Sequence, residues 1–135
     1  MISAIFDHLG GKETCSAPEE VRAVLDKTVD GGNAFNIYKN EDSLYPYLSV
    51  LTRGEYVYIW YAPEEESVSF QAYGEDLELD PEGFVAFYIP ELTEISNDYI
   101  LTKERAVQVV LSFLEREQWP GCYEELPDCV EWEEL

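Results

Sequence analysis

Basic residues are scarce in this chain: eight Lys and Arg stand against 29 Asp and Glu, for a formal charge of -21. A surface with that balance repels phosphate. It disfavours direct binding to nucleic acid or to an anionic membrane and favours a basic partner, although acidity can also serve solubility alone. Histidine is scarcer still. With His8 alone, in a glycine-flanked segment, a Ser-His-Asp or Cys-His arrangement would have to be built around one residue, and local packing is the simpler reading. Cysteine is limited to Cys15, Cys122 and Cys129, an odd number without a CxxC pair, so neither a disulfide framework nor a zinc site is implied. Cys122 and Cys129 sit in an acidic stretch that raises a thiol pKa, which fits structural thiols in a reducing cytosol. No apolar run approaches membrane-spanning length, and residues 1–11 carry no basic segment leading into an apolar one, so a cytoplasmic protein is expected.

What the chain does have is apolar and aromatic bulk. Hydrophobic residues make up 46% and aromatics 14%, far from the composition of a disordered acidic tail, and 135 residues suit one domain spanning 1–135. Ser16-Ala17-Pro18-Glu19 reads as a capping box, and Val21, Val24, Leu25 and Thr28 repeat at helical spacing up to Gly31-Gly32, which predicts a helix over 17–29. From Ala34 to Ile89 the pattern is strand-like, with strands expected at 34–38, 46–51, 55–61, 67–73 and 83–89. The fourth alternates Val68, Phe70 and Ala72 with Ser69, Gln71 and Tyr73, which marks an outer strand. The third, Tyr56 to Tyr61, and the fifth, Phe84 to Ile89, are apolar on both faces, which points to central positions in the sheet.

A second helix is expected from the N-cap Thr102 to about Arg116, with Ala106, Val107, Val110, Leu111 and Leu114 on one stripe. The remainder reads as an irregular tail with one short strand, in which Trp119, Tyr123 and Trp132 stand among acids; Trp132 has two readings, an interface aromatic or a ring packed inward. The expected fold class is therefore α+β: an antiparallel, meander-like sheet of about five to six strands, packed on one face by an N-terminal and a C-terminal helix.

Carboxylates are too numerous for any pair to be diagnostic of acid–base catalysis. Asp76, Glu78, Asp80 and Glu82 alternate as in a calcium loop, but Pro81 and Phe87 stand where an EF-hand needs glycine and a bidentate Glu. Gly10-Gly11-Lys12 and Gly31-Gly32 lack phosphate-loop spacing. No catalytic residue, metal ligand or cofactor is therefore expected. The acids are instead concentrated: eight without a base between Glu64 and Glu82, and eight with a single Arg between Glu115 and Leu135. Rigid aromatics beside such charges are typical interface anchors. The candidate partner-binding residues are Tyr61, Glu64, Glu65, Glu66, Tyr73, Glu75, Asp76, Asp80, Glu82, Glu124 and Glu125. The expected partner is a basic protein, met by a monomer.

Two segments also resemble a known family. Tyr45-Pro46-Tyr47-Leu48-Ser49-Val50 followed by Gly54-Glu55-Tyr56-Val57-Tyr58-Ile59-Trp60-Tyr61 looks like the central hairpin of bacterial immunity proteins that neutralise deaminase-type polymorphic toxins. The ending Leu126-Pro127-Asp128-Cys129-Val130-Glu131-Trp132-Glu133-Glu134-Leu135 is similar to that family's closing signature. The segment Trp119 to Glu125 departs from the pattern as an insertion, and the N-terminal helix matches only loosely. The resemblance implies a mixed α+β fold, no cofactor and a cognate toxin with a basic active-site surface as ligand. A nuclease toxin, or a nucleic-acid mimic that inhibits a host DNA- or RNA-binding protein, fits the same charge.

Overall fold

The computed structural model describes residues 4–29, 31–38, 47–62, 69–74, 77–80, 82–88, 91–115 and 130–134. The chain opens on a hairpin, β1 (Ala4–His8) and β2 (Gly11–Cys15). Its turn needs glycine at residue 11, whose φ of 132° lies where a Cβ is strained. Helix α1 follows at Pro18–Leu25, then β3 (Gly32–Tyr38), β4 (Tyr47–Arg53), β5 (Tyr56–Ala62) and β6 (Phe70–Ala72). β7 (Phe84–Phe87), β8 (Thr93–Ser96), a 3₁₀ turn at Asn97–Tyr99 and β9 (Leu101–Thr102) lead into α2 (Lys103–Glu115), and β10 (Trp132–Glu134) closes the chain.

Among the described residues all the strand pairs are antiparallel, and the main sheet has eight strands in the order β10-β6-β5-β4-β3-β1-β2, with β9 also paired to β5. The α+β class and the antiparallel sheet match the sequence reading. The central place of the third expected strand, β5, matches too. Three expectations are corrected. β6 is not outermost, because β10 pairs with it along Trp132↔Ala72 and Glu134↔Phe70. The fifth expected strand, β7, is not in the main sheet at all but forms a two-stranded sheet with β8. The N-terminal hairpin adds two strands where the sequence shows only a glycine-flanked segment.

Alternation along the strands sorts the apolar residues. Phe6, Phe35, Ile37, Leu48, Val50, Val57, Ile59, Tyr61, Phe70 and Trp132 form one core cluster with Val21, Val24 and Leu25 of α1 and Ala106, Val109, Val110 and Phe113 of α2. The opposite parity, Leu51 and its cross-strand partner Tyr58, packs instead with a smaller cluster built on Val85, Phe87 and Ile100. The small β7–β8 sheet is thus seated by a satellite core of its own.

The helix ends show where local chemistry overrode the pattern. Thr102 is the expected cap of α2, its Oγ1 accepting from the Arg105 amide at 3.1 Å. The capping box of α1 is displaced by one residue. Ala17 is the N-cap and gives no side-chain bond, while Ser16 donates from its amide and its hydroxyl to Glu20 Oε1, both at 3.2 Å. α1 also stops at Leu25, well before Gly31-Gly32. Its end is satisfied without a glycine cap: the Arg22 and Val24 carbonyls accept from the Asp26 and Lys27 amides, both at 3.0 Å, and the Leu25 carbonyl accepts from the buried ammonium of Lys103 at 3.2 Å.

Candidate functional site

The small sheet is aimed by a turn. Asp80 Oδ1 accepts from the Glu82 amide at 3.0 Å, and the Asp80 carbonyl accepts from the Gly83 amide at 3.0 Å and from Asn97 Nδ2 at 2.8 Å. A Cβ at position 83 would stand 2.8 Å from Asn97 Nδ2, so a side chain there would displace the amide that holds the Asp80 carbonyl. From there the side chains alternate. Val85 and Phe87 turn into the satellite core, while Phe84 and Tyr88 are 57% and 60% exposed.

An open groove of about 620 Å³ separates β7 from the β4–β5 turn; Arg53, Tyr56, Leu79, Phe84, Ala86 and Tyr88 are among its lining residues. Arg53 lies along it. Its Nη1 donates to the Ala86 carbonyl at 2.9 Å, and its guanidinium carbon sits 4.9 Å from the centroid of the Tyr88 ring. The surroundings are acidic. From Gly54 to Thr102 the sequence carries 12 acids and no base. Of these, Glu55, Glu78, Asp80, Glu82, Glu91, Glu94 and Asp98 are described and exposed. Exposed apolar rings inside a base-free acidic stretch are what a surface needs to attract a cationic protein and then hold it.

A second constellation fastens the chain's end. Glu133 Oε2 accepts from the hydroxyls of Tyr73 (2.5 Å) and Tyr99 (2.6 Å), and Oε1 accepts from Gln71 Nε2 at 3.2 Å. These donors stabilise the carboxylate, Tyr73 foremost, and hold its pKa below the usual range. The same bonds push the Tyr73 and Tyr99 hydroxyls up. Tyr58, which donates to Gln71 Oε1 at 2.8 Å, is pushed up to about 12, mainly by burial.

A third cluster sits at the N-terminal hairpin. His8 Nδ1 accepts from the Gly10 amide at 3.0 Å, which in the neutral ring leaves the proton on Nε2 to donate to Glu13 Oε2 at 2.7 Å. Glu13 also accepts from Lys27, the larger of the two causes that lower its pKa. The His8 side chain is only 3% exposed, so it is locally packed, as the sequence reading favoured. Cys15 is buried, and desolvation pushes its thiol up to about 11, which keeps it protonated and unreactive at neutral pH. Among the described residues, no three of His, Cys, Asp and Glu gather closely enough to hold a metal ion.

The sequence-derived site residues divide unevenly. Tyr61 is a correction: it is fully buried, its ring 6.3 Å from both Phe113 and Trp132, and it offers no surface to a partner. Its place on the same strand parity as Val57 and Ile59 is the reason. Tyr73 is half-buried with its hydroxyl engaged by Glu133. Asp80 and Glu82 are exposed and share the turn that launches β7. Glu64, Glu65, Glu66, Glu75, Asp76, Glu124 and Glu125 lie outside the described residues. The structure adds Arg53, Tyr56, Phe84 and Tyr88, which sequence reasoning passed over. The sequence signal for them is weak: Pro81 and Pro90 bound β7 as a short run, but prolines bound the central strands too, at Pro46 before β4 and Pro63 after β5. No family model matches the chain, and no characterised protein matches it in sequence.

Proposed function

We propose that this chain is an immunity protein, an antitoxin that binds a cognate secreted toxin domain of the deaminase type and masks its basic active-site surface. The supporting observation is the coincidence of exposed Phe84 and Tyr88 with a 49-residue stretch, Gly54 to Thr102, that has 12 acids and no base. Charge steers the basic partner in, and the aromatic rings slow its escape. In this reading both helices cover one face of the main sheet, the small sheet and the acidic segments serve the partner, and the protein acts in the cytoplasm as a monomer without a cofactor.

The test is a calorimetric titration against the toxin domain encoded beside the gene, at low salt and again at about 0.5 M salt. The expected result is one-to-one binding that weakens as salt rises, with toxin activity lost on binding. No measurable heat at low salt would sink the proposal. Binding to several unrelated DNA-binding proteins in competition with DNA would replace it with a nucleic-acid mimic.

A further inference from the structure

We propose that the outer edge of β7 is a strand-docking site and that its occupant is an extended, arginine-bearing segment of the basic partner. This rests on the partner-binding reading and adds where the partner seats and by what bonds.

The register fixes which backbone groups face outward. The Asn97 amide donates to the Gly83 carbonyl at 3.1 Å, and the ladder runs on through Phe84↔Ser96, Val85↔Ile95, Ala86↔Glu94 and Phe87↔Thr93. In an antiparallel pair, hydrogen-bonded and non-hydrogen-bonded positions alternate. Val85 and Phe87 therefore bond to β8, while the amides and carbonyls of Phe84 and Ala86 point away from it. An independent contact agrees: the Ala86 carbonyl is met from outside by Arg53 Nη1. Among the described residues β7 pairs with β8 alone, so its other side is an open edge bordering the groove. Open edges are templates for another strand.

Arg53 shows what the edge accepts. Its guanidinium donates to an outward carbonyl and lies over the exposed Tyr88 ring, two interactions that a partner's arginine would reproduce. Arg53 is exposed, so it can be displaced without opening a core. Phe84, Ala86 and Tyr88 recur at every second residue, the spacing of side chains along an added strand, so an Arg-x-Arg segment would lay its cations along exposed rings. The border is complementary in charge: Glu55 lines the groove, Glu82 precedes β7, and Glu94 pairs with Ala86. An anionic strand would meet repulsion from these same acids.

The experiment is an amide-resolved NMR titration of the full chain at low salt with a capped heptapeptide of alternating arginine and valine. Saturable shifts are expected at Phe84, Ala86 and Tyr88, with hydrogen exchange of the Phe84 and Ala86 amides slowed at least about tenfold. The same peptide with alternate amides N-methylated keeps its charge but loses its ladder bonds, and is expected to bind about tenfold more weakly. Ala86→Pro removes an outward amide and leaves the β7–β8 bonds in place, and is expected to weaken the parent peptide to the same degree. If the N-methylated peptide binds as well as the parent, or the shifts spread over the acids without protection at Phe84 and Ala86, the edge site is refuted. It is refuted equally if neither peptide binds saturably. A toxin that binds Ala86→Pro and wild type equally refutes the edge site and leaves the antitoxin reading standing, whereas a toxin that binds neither removes the reading itself.

Discussion

The two cores of this protein treat aromatic residues in opposite ways. The main core encloses Phe6, Phe35, Tyr61, Phe70 and Phe113 with at most 2% exposure, whereas the strand that buries Phe87 in the satellite core leaves Phe84 and the adjoining Tyr88 more than half exposed. The first arrangement is what stability demands of large apolar side chains. The second forgoes burial that the same residues would gain in a central strand, and the proposed contact surface rests on that difference.

Removing a ring from each core should break this symmetry of composition into opposite phenotypes. Phe113→Ala is expected to cost about 3–5 kcal/mol of stability by leaving a cavity against Tyr61, read as a lower midpoint in guanidinium unfolding. Phe84→Ser with Tyr88→Ser should leave stability within about 0.5 kcal/mol per site while weakening toxin binding by at least about thirtyfold, read by calorimetry. If the double variant unfolds as readily as Phe113→Ala, the two rings are structural and the contrast fails. Raising salt from about 0.05 to 0.5 M should slow association several-fold and leave dissociation nearly unchanged, as stopped-flow mixing would show, because screening acts on steering and not on seated rings.

The smallest expected effect concerns Glu133 of β10 and the tyrosines near it. Glu133 has a lowered pKa in the folded chain, so its contribution to stability is complete above the ordinary value of 4.5 and is lost as pH falls through the lower folded value. Tyr58 behaves oppositely: its pKa is raised from 10.0 to about 12, so its contribution is complete below 10 and is lost as pH rises from there toward 12. The midpoint of denaturant unfolding should therefore fall at both extremes, and Glu133→Gln should flatten the acid side. An unchanged acid side in that variant would show that the tyrosine hydroxyls do not hold the carboxylate.

Much of the main sheet is legible in the sequence because its periodicity is strong and its turns carry glycine, as at Gly54 with φ +58°. The alternation in β6 and the Thr102 cap of α2 are equally direct. β7 misleads because an apolar run on both strand faces reports two hydrophobic surfaces without saying what covers them: here one faces the satellite core and the other faces solvent. The first hairpin is missed because His8 and Glu13, polar in sequence, are buried or half-buried through each other and Lys27. The site is only half legible. Charge concentration points to Asp80 and Glu82, which are exposed, but nearness in sequence to acids also draws in Tyr61, which strand parity sends to the core, and gives no hint of Arg53 lying across Tyr88.

The central claim is that the exposed acids around the small sheet form a face for a basic protein. It is tested most directly by titrating wild type and a variant carrying Glu55→Lys, Glu82→Lys, Glu91→Lys and Glu94→Lys into the same toxin domain at low salt. All four carboxylates are exposed, so the variant should fold as the parent does. Binding by wild type and a loss of at least about a hundredfold in the variant is the expected result. Equal affinity for the two proteins would contradict it and return the acidity to a role in solubility.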